Sequence, residues 1–394
     1  MVRRPRCRGR QTAHSLVWWP APVGGLPRLP DRPWDASPST TPCRRPRPPP
    51  SVTILSDCGH RQWSKRSPQN RPAHERDSTG SAARGLDWLV ASQQEDGSWG
   101  SGGFRGSAAV TAQGLLALLG SGSTPNAGPH AVAAGRAADF LLACCRPDGL
   151  IAGNEAAAHG PMYGHAFATL ALAECLGEQA AGGLRPKLVA AAGLIKRSQA
   201  ASGGWRYQPL PQDGDVSVTA AVLVAIRALA VADIDVDQRL AERAIGFVGR
   251  LQNNDGGFRY LADPGPSAVP RSAAALFALQ LAGVRGTVID RGFAWLDRQP
   301  FEQESNDGYR MYGLAATAAA RWQRRLATGD TATWDAWFSR AASLLLAEQQ
   351  PDGSWADPSC REYGTAAAVS VLQTPAGLLP IVAAEGQAGE ESRP

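Results

Sequence analysis

The segment RGLDWLVASQQEDGSW, residues 84–99, combines a helical pattern with a tight turn and closes on a tryptophan. Its apolar residues recur at helical intervals, so the segment predicts a helix that ends near Gln93. Asp96-Gly97 then stops the helix, because glycine readily adopts the left-handed conformation that a helix end needs. The unit is therefore a helix, a turn and an aromatic residue.

This unit recurs along the chain. Aligned on the turn glycine, six copies follow one another at spacings of 52, 54, 53, 52 and 45 residues. The turn glycines are Gly97, Gly149, Gly203, Gly256, Gly308 and Gly353. An arginine precedes four of them by thirteen residues, at Arg84, Arg136, Arg243 and Arg340. A glutamine precedes four of them by four residues, at Gln93, Gln199, Gln252 and Gln349. An aromatic residue follows four of them, at Trp99, Trp205, Phe258 and Trp355.

A second, alanine-rich segment follows each turn, as in GSAAVTAQGLLALLG, residues 106–120. These segments are apolar around most of their circumference, which is typical of helices enclosed on all sides. The first helix of each pair is amphipathic and therefore predicted to lie outside. Six such hairpins close most simply into an all-α fold, the α/α toroid, an α6/α6 double ring. The alternative, an open solenoid, would expose one face of its second helices and require end caps.

The junctions between copies explain the repeated side chains. A glutamine amide can bond free backbone groups at the hairpin junction, and the indole can seal it. We therefore interpret the repeated residues as structural.

Composition limits the toroid to residues 81–380, in six repeats of about 50 residues. Residues 1–80 hold 14 of the 30 prolines without sustained apolar periodicity, so we predict a disordered Pro/Arg-rich extension. Residues 381–394 are predicted to form a disordered tail. The extension carries 15 of 40 basic and 5 of 35 acidic residues, which leaves 25 bases and 30 acids in the rest. The folded part is slightly acidic, so we expect no nucleic-acid partner.

The seven cysteines form no staple pattern, which favours a reducing compartment, and we expect a cytoplasmic protein. Proline and glycine interrupt the apolar stretch after the basic start, which argues against an export signal. No uninterrupted apolar run reaches the ~18 residues of a transmembrane helix. Contact with a membrane surface is not indicated, and the sequence leaves the oligomeric state open.

The pattern Arg/Lys, Gly/Ala, two residues, aromatic, aliphatic, three residues, Gln, three residues, Gly, any residue, Trp resembles the QW repeat of squalene-hopene cyclases and related triterpene cyclases. Residues 84–99 match it at every position, and residues 242–258 and 339–355 match with one substitution each. The resemblance covers about residues 82–380 and indicates the prenyltransferase and squalene-cyclase repeat superfamily. That superfamily also includes protein prenyltransferase β-subunits and thioester domains of complement-like proteins, so the fold alone does not settle function.

In a closed toroid the N-termini of the inner helices gather at one mouth, where their partial positive charge favours acidic groups. Candidate site residues therefore lie at the starts of the inner segments. They are Tyr163, His165, Asp213, Asp215, Arg271, Tyr312, Glu362 and Tyr363.

The triterpene cyclases carry an Asp-x-Asp-Asp-Thr-Ala motif at this position, where a protonated carboxylic acid attacks an alkene. Here the chain reads QDGDVSVTAAV, residues 212–222. When Thr219 is aligned with the threonine of the motif, Asp215 matches the first aspartate, whereas Ser217 and Val218 replace the next two. The resemblance therefore implies an acid site that lacks its usual proton donor.

A shifted alignment makes Asp213 and Asp215 an Asp-x-Asp pair. One carboxyl of such a pair could hold a proton, because two close carboxylates do not easily both ionise. The alternative interpretation is that one of them caps the helix, as acids before a helix commonly do.

The prenyltransferase resemblance would imply zinc held by an Asp, a Cys and a later His. Asp357 and Cys360 are three residues apart, but the last histidine is His165, which precedes both. A different site built from His165, Asp215 and Cys360 is conceivable across the ring. We expect no metal or other cofactor. The thioester motif of the superfamily is approximated only by ECLGEQ, residues 174–179, with an inserted leucine and at the wrong end of an inner helix.

His165 is predicted to face the cavity as a general base or hydrogen-bond donor, or alternatively to be a buried structural histidine. Aromatic side chains can line a cavity and stabilise a carbocation through their faces, although such residues are more commonly core. Those considered are Trp205, Tyr207, Phe258, Tyr260, Tyr309, Tyr312 and Tyr363; Trp205 and Phe258 already belong to the repeat.

These observations lead to one hypothesis and its alternatives. We expect an enzyme that binds an isoprenoid or other apolar substrate and catalyses acid-initiated cyclisation or isomerisation. Its expected catalytic residues are Asp215, Asp213, His165 and Tyr363. Its expected cavity lining is Tyr163, Trp205, Tyr207, Tyr260, Arg271, Tyr309, Tyr312 and Glu362. The alternatives are a non-catalytic toroid that binds a lipid or protein partner, and a sugar-acid lyase, which would need clustered bases. A long polycyclisation is not expected, because the chain has room for one toroid.

Overall fold

The computed structural model describes residues 73–154, 160–176, 183–301, 309–377, 379 and 381, all within one contact unit, Ser56–Pro394. In these ranges the chain forms twelve α-helices and no strand. The outer helices are α1 Ala73–Ser92, α3 Ala131–Ala143, α5 Leu184–Ser198, α7 Gln238–Arg250, α9 Thr287–Leu296 and α11 Thr331–Glu348. The inner helices are α2 Ala108–Gly120, α4 Met162–Cys175, α6 Val216–Val231, α8 Val269–Leu281, α10 Arg310–Thr328 and α12 Arg361–Gln373.

The inner helices form a closed ring. Each packs against the next in chain order, and α12 packs against α2. Nearly all of α6 is buried, whereas α7 buries only one face, built around Leu240, Ala244 and Phe247. This is the division predicted from the two apolar patterns, and it confirms the all-α double ring.

Hydrogen bonds of the repeated glutamines join successive copies. Gln93 Nε2 donates to the carbonyl of Gly97 at 3.0 Å, and to that of Ala133, in the next outer helix, at 2.9 Å. Gln199 and Gln252 make the corresponding two bonds, one to the turn glycine of the same copy and one to the outer helix of the next copy. Gln349 makes them to Gly353 and to Ser81 of α1, both at 2.9 Å. The sixth copy is thus joined to the first as the others are joined to their successors, which excludes an open solenoid.

The repeated tryptophan ties the end of an outer helix to the start of an inner one. Trp99 Nε1 donates to the Leu89 carbonyl at 2.8 Å, and its backbone N–H donates to Thr111 Oγ1 at 3.0 Å. Trp205 and Trp355 repeat both bonds. The indoles are fully buried, so each junction is both sealed and hydrogen-bonded.

The turn glycine is required for two reasons, as Gly97 illustrates. Its φ of +88° lies in the left-handed region, and a Cβ there would come within 2.3 Å of the Arg136 carbonyl oxygen. The backbone of the next copy therefore packs directly on the turn. Arg136 adds a hydrogen bond from its guanidinium to the Gln94 carbonyl.

The fifth junction departs from the pattern. Gln299 donates to the Trp295 carbonyl of its own helix rather than to the next copy, and Gly308 lies outside the described residues. An ion pair between Arg321 and Asp297, at 2.7 Å, links α9 to α10 instead.

Helix α1 begins at Ala73, inside the segment 1–80 that composition predicts to be disordered. Residues 73–80 are mostly polar, so their sequence lacks the apolar periodicity that would predict a helix. Ser78 and Ser81 are nonetheless buried, and α1 packs along α12. Contact with the last repeat, rather than an apolar pattern of its own, stabilises this start. Residues 1–72 and 382–394 lie outside the described residues.

Within the described part of the chain, no helix combines the length and apolar character needed to cross a membrane.

Candidate functional site

The inner ring encloses a cavity of about 190 Å³ to which all six inner helices contribute. Its aromatic lining is Phe167, Phe277, Tyr312 and Tyr363, and none of its described lining residues is charged. An engineered apolar cavity of about 150 Å³ binds benzene, so this space suits an apolar ligand. The chain after α12 closes one end through Leu379 and Ile381.

Asp215 caps the N-terminus of α6. Its Oδ1 accepts hydrogen bonds from the backbone N–H groups of Ser217 at 2.9 Å and Val218 at 2.8 Å, which confirms the capping interpretation. The side chain is fully buried. Burial raises the pKa of its carboxyl to about 7, although the two amides and Arg206 favour the charged form. At neutral pH a large fraction of Asp215 is therefore a neutral acid.

The second carboxyl oxygen, Asp215 Oδ2, is the one available for chemistry. It is buried, and no described residue completes a hydrogen bond to it, although the Tyr260 hydroxyl lies close enough to lower the pKa of the carboxyl. Burial of this oxygen is costly in an ionised carboxylate, and this cost favours the protonated form.

Four tyrosines surround this carboxyl. Burial and then the Asp215 charge raise the pKa of the hydroxyls of Tyr163, Tyr260 and Tyr312. The pKa of the half-buried Tyr207 hydroxyl is also raised, by burial and, more weakly, by the Asp215 charge. Tyr207 and Tyr260 are hydrogen-bonded to each other through their hydroxyl groups.

The tyrosines connect the acid to the cavity. The ring of Tyr163 lies 6.1 Å from that of Phe167 and 6.4 Å from that of Tyr207. Phe167 and Tyr312 also line the cavity. Asp215 is not itself among the lining residues; it approaches the cavity through Tyr312 and through the contact of Tyr163 with Phe167.

Asp213 does not form a buried pair with Asp215. Its carboxylate is 55% exposed and makes an ion pair with Arg206 at 2.5 Å. The physical reason is that Asp215 turns inward to cap α6, whereas Asp213 lies on the loop before the helix. The Asp-x-Asp expectation is corrected accordingly: only one of the two carboxyls is buried.

His165 lies in a hairpin junction and is not among the cavity-lining residues. Its Nδ1 accepts the Ile151 backbone N–H at 3.1 Å. Thr219 accepts the Trp205 backbone N–H in the same way, so His165 occupies the threonine position of its repeat. Burial lowers the pKa of the imidazole to about 4, and the ring is neutral at physiological pH.

The remaining expected residues divide between the cavity and its surroundings. Tyr363 lines the cavity near Tyr312, and burial raises the pKa of its hydroxyl. Of the eight residues expected to line the cavity, Tyr312 does so. Tyr163, Tyr207 and Tyr260 do not line it and lie near Asp215 instead, and the other four lie elsewhere. Trp205 is buried in a junction, Arg271 donates to the carbonyls of Phe258 and Pro266, Glu362 accepts from Ser101 Oγ, and Tyr309 precedes α10 close to Tyr207.

No group of three or more His, Cys, Asp or Glu side chains that could hold a metal occurs in the described ranges. Asp357 Oδ1 accepts from Ser359, and burial raises the pKa of the Cys360 thiol to about 12. His165 is engaged in its own junction. The described residues therefore do not fit a zinc ion.

Sequence reasoning missed residues at the opposite end of the inner ring. Gln373, at the end of α12, lines the cavity. Glu174, at the end of α4, hydrogen-bonds the Ile381 backbone, and burial raises the pKa of its carboxyl to about 8. Both lie at helix C-termini, whereas the candidates predicted from the sequence lie at helix N-termini. A polar residue at the end of an apolar inner helix was the available signal.

Solved structures share this fold. The type II terpene cyclase MstE from Scytonema superposes with a TM-score of 0.54 at 19% identity, over 77% of this chain and 100% of that chain. A protein from Actinoplanes gives 0.51 at 19% identity, over 75% and 98%. A family 76 glycoside hydrolase (mannosidase) from Bacteroides thetaiotaomicron gives 0.56 at 12% identity, over 76% and 98%. No protein-family model and no curated protein matches the sequence.

These likenesses establish the α/α toroid. The terpene cyclase and the mannosidase catalyse different reactions on the same fold, so the fold alone does not identify the activity of this chain.

Proposed function

We propose that this protein is an isoprenoid-handling enzyme in which Asp215 protonates an alkene held in the central cavity and so starts a cyclisation or isomerisation. The observation that carries the proposal is a fully buried carboxyl with a pKa of about 7, whose charge acts on Tyr312, a residue that lines the apolar aromatic cavity. A general acid works best when its pKa lies near the working pH.

The chemistry requires one proton from Asp215 Oδ2. The alkene π electrons form the new C–H bond and leave a carbocation on the neighbouring carbon. The carboxylate left behind keeps its bonds from Ser217 and Val218, and the positive end of α6 stabilises it. Loss of a proton from the final cation makes the net reaction an isomerisation.

The cation would lie among aromatic faces. Phe167, Phe277 and Tyr312 line the cavity and can stabilise positive charge through their rings. No described lining residue offers a carboxylate or an amine that would trap the cation. The lining thus suits a reactive apolar intermediate that has to be kept from water.

A structural neighbour supports this proposal. A variant of MstE has been solved with geranylgeranyl dihydroxybenzoate as its substrate, so a toroid of this kind accommodates a prenylated molecule. Glycoside hydrolysis is disfavoured because it needs two carboxyls flanking the substrate. Here Asp213, the carboxyl nearest to Asp215 in sequence, is exposed and ion-paired with Arg206.

A non-catalytic toroid that binds a lipid is the alternative. Ser217 and Val218 stand where the triterpene cyclases have two further acids, and this replacement favours it. Such a protein would retain an apolar ligand without changing it.

The test is incubation of the purified protein with polyprenyl alcohols, arenes bearing prenyl chains, and squalene, with products identified by mass spectrometry. Asp215→Asn should abolish product, because asparagine still caps the helix but cannot donate the proton. Asp213→Asn is the matched control and should retain activity. Unchanged activity in Asp215→Asn contradicts the proposal, and binding without product from any substrate supports the lipid-binding alternative.

A further inference from the structure

A second cavity of about 410 Å³ lies where the ring closes. We call it the vestibule. It is formed by one face of α1, the connection from α2 to α3, Phe338 of α11 and the end of α12. Its polar lining residues are Ser78, Thr79, Asp87, Ser121, His130 and Gln373. Because the inner helices run in one direction around the ring, these C-terminal ends lie opposite the end that carries Asp215.

Two residues, Gly120 and Gln373, line both the vestibule and the central cavity. A Cβ on Gly120 would lie 3.0 Å from Gln373 Oε1, so the carboxamide rests against the bare glycine. The flexible side chain of Gln373, which lies over Gly120, therefore separates the vestibule from the central cavity at this point.

Gln373 Oε1 is buried and has no hydrogen-bond partner among the described residues. A buried acceptor without a donor is unfavourable, and a ligand that supplies an O–H or N–H would satisfy it. The acceptor lies at the junction of a polar and an apolar space.

The distance between the two ends sets the shape of a ligand. Tyr363 and Gln373 both line the central cavity and are ten residues apart on α12. At 1.5 Å per residue they are about 15 Å apart along the axis. An extended apolar chain would reach from Gln373 to the tyrosines beside Asp215.

The charge of the lining restricts the head group. Neither cavity has a lysine or an arginine among its described lining residues, and Asp87 lines the vestibule. A diphosphate would find no cationic partner there. A neutral head group with a hydroxyl or amide hydrogen fits.

From these observations we infer that the substrate is an amphipathic prenylated molecule with a neutral hydrogen-bond-donating head. Its tail passes Gln373 into the central cavity and its head remains in the vestibule. The placement of the tail end beside Asp215 rests on the proposed function. The vestibule and the Gln373 contact stand on geometry alone.

The experiment measures binding to the full chain carrying Asp215→Asn, so that turnover does not interfere. The probes are a prenyl alcohol, the hydrocarbon of the same tail, and the corresponding prenyl diphosphate. We expect the alcohol to bind about tenfold more tightly than the hydrocarbon, the size of one net hydrogen bond, and the diphosphate to bind more weakly than the alcohol. Gln373→Leu should erase the preference for the alcohol while the hydrocarbon still binds.

A matched pair of variants tests the vestibule as the entrance. Ala83 is an exposed residue of α1 in the vestibule, and Ala91 is an exposed residue of the same helix outside it. Ala83→Trp should slow association of the alcohol at least tenfold, and Ala91→Trp should leave it unchanged.

Equal association in the two tryptophan variants, tighter binding of the diphosphate, or an alcohol preference that survives Gln373→Leu would overturn the inference. Failure of the wild-type chain to bind any probe would overturn both it and the proposed function. The expected binding pattern without any turnover would remove only the proposed function. Turnover that depends on Asp215 but ignores Ala83→Trp would remove only the inference.

Discussion

The side-chain amide of Gln349 donates a hydrogen bond of 2.9 Å to the backbone carbonyl of Ser81, across 268 residues of sequence. The Ser81 hydroxyl, at 2.6 Å, and the Arg84 guanidinium donate to Oε1 of the same side chain, so Gln349 holds the last repeat to the first. A toroid has no free ends to cap, so the closing junction contributes to the stability of every repeat beside it.

Replacement of Gln349 by alanine should therefore destabilise the protein. The side chain loses two bonds to backbone carbonyls and two that its oxygen accepts from Ser81 and Arg84, and we expect the free energy of unfolding to fall by about 2–3 kcal/mol in chemical denaturation. Gln350→Ala is the control, because its exposed amide donates only within its own turn, and it should change stability by less than about 0.5 kcal/mol. Equal effects of the two would refute a special role for the closing junction.

Two glycines with positive φ allow the cost of backbone strain to be measured separately from the cost of a steric contact. Gly97 and Gly102 both have positive φ, of 88° and 57°, but only Gly97 faces a neighbouring backbone. Gly102→Ala should cost about 1–2 kcal/mol, the usual penalty of left-handed geometry. Gly97→Ala should cost clearly more, because its Cβ would meet the Arg136 carbonyl. Thermal melting of the two variants measures the difference, and similar melting temperatures would contradict it.

Asp215 should make stability depend on pH. Its folded pKa, about 7, lies above its usual 3.8, so the folded protein binds the proton more tightly than the unfolded chain. The contribution of the Asp215 proton to the free energy of unfolding is fully present below pH 3.8. It is lost as the pH rises toward 7, by about 4 kcal/mol at most. Unfolding free energies of the wild type minus those of Asp215→Asn, measured from pH 4 to 8, should therefore decrease with pH. A flat difference would show that the carboxyl is not buried.

The same carboxyl should set the alkaline limb of activity. The reaction needs the neutral acid, so kcat/KM should fall tenfold per pH unit above about pH 7. Arg206→Gln, which removes a cation that favours the carboxylate, should move this limb to higher pH. If the alkaline limb of kcat/KM lies at the same pH in Arg206→Gln as in the wild type, it reports a group other than Asp215.

His165 should act on stability in the opposite sense. Its folded pKa, about 4, lies below its usual 6.5. The contribution of the neutral imidazole to the free energy of unfolding is therefore fully present above pH 6.5 and is lost as the pH falls toward 4, by about 3 kcal/mol. His165→Thr introduces the residue that the other junctions use to accept the backbone N–H. The variant should be less stable at pH 7, because a smaller side chain leaves a gap, yet lose less stability on acidification. Parallel pH curves for variant and wild type would contradict this.

Much of the fold was predictable from local pattern. The helix around Trp88, the Asp96-Gly97 stop and the alanine-rich segment after them each follow from short-range physics. Repetition of that unit six times then required the same junction each time. The departures are tertiary in origin: α1 extends back to Ala73 because the last repeat covers it, and the fifth junction uses Arg321 and Asp297 where the glutamine turns back on its own helix.

The candidate site was predictable only in part. The position of Asp215 before an inner helix singled it out, but its proximity to Asp213 suggested a carboxyl pair that the chain does not form. His165 looked available for catalysis in sequence and is engaged in a junction. Gln373 was not predicted, because a polar residue at the end of an apolar helix does not by itself indicate that the side chain reaches a cavity.

The sequence by itself determined the hairpin unit, the division into outer and inner helices and the structural role of the repeated glutamine and tryptophan, because each depends on a short-range pattern that recurs from copy to copy. The tertiary structure alone decided which carboxyl is buried, which tyrosines surround it and that Gln373 separates two cavities. Those properties depend on burial and electrostatic fields created by residues from several repeats, and no single segment carries that information.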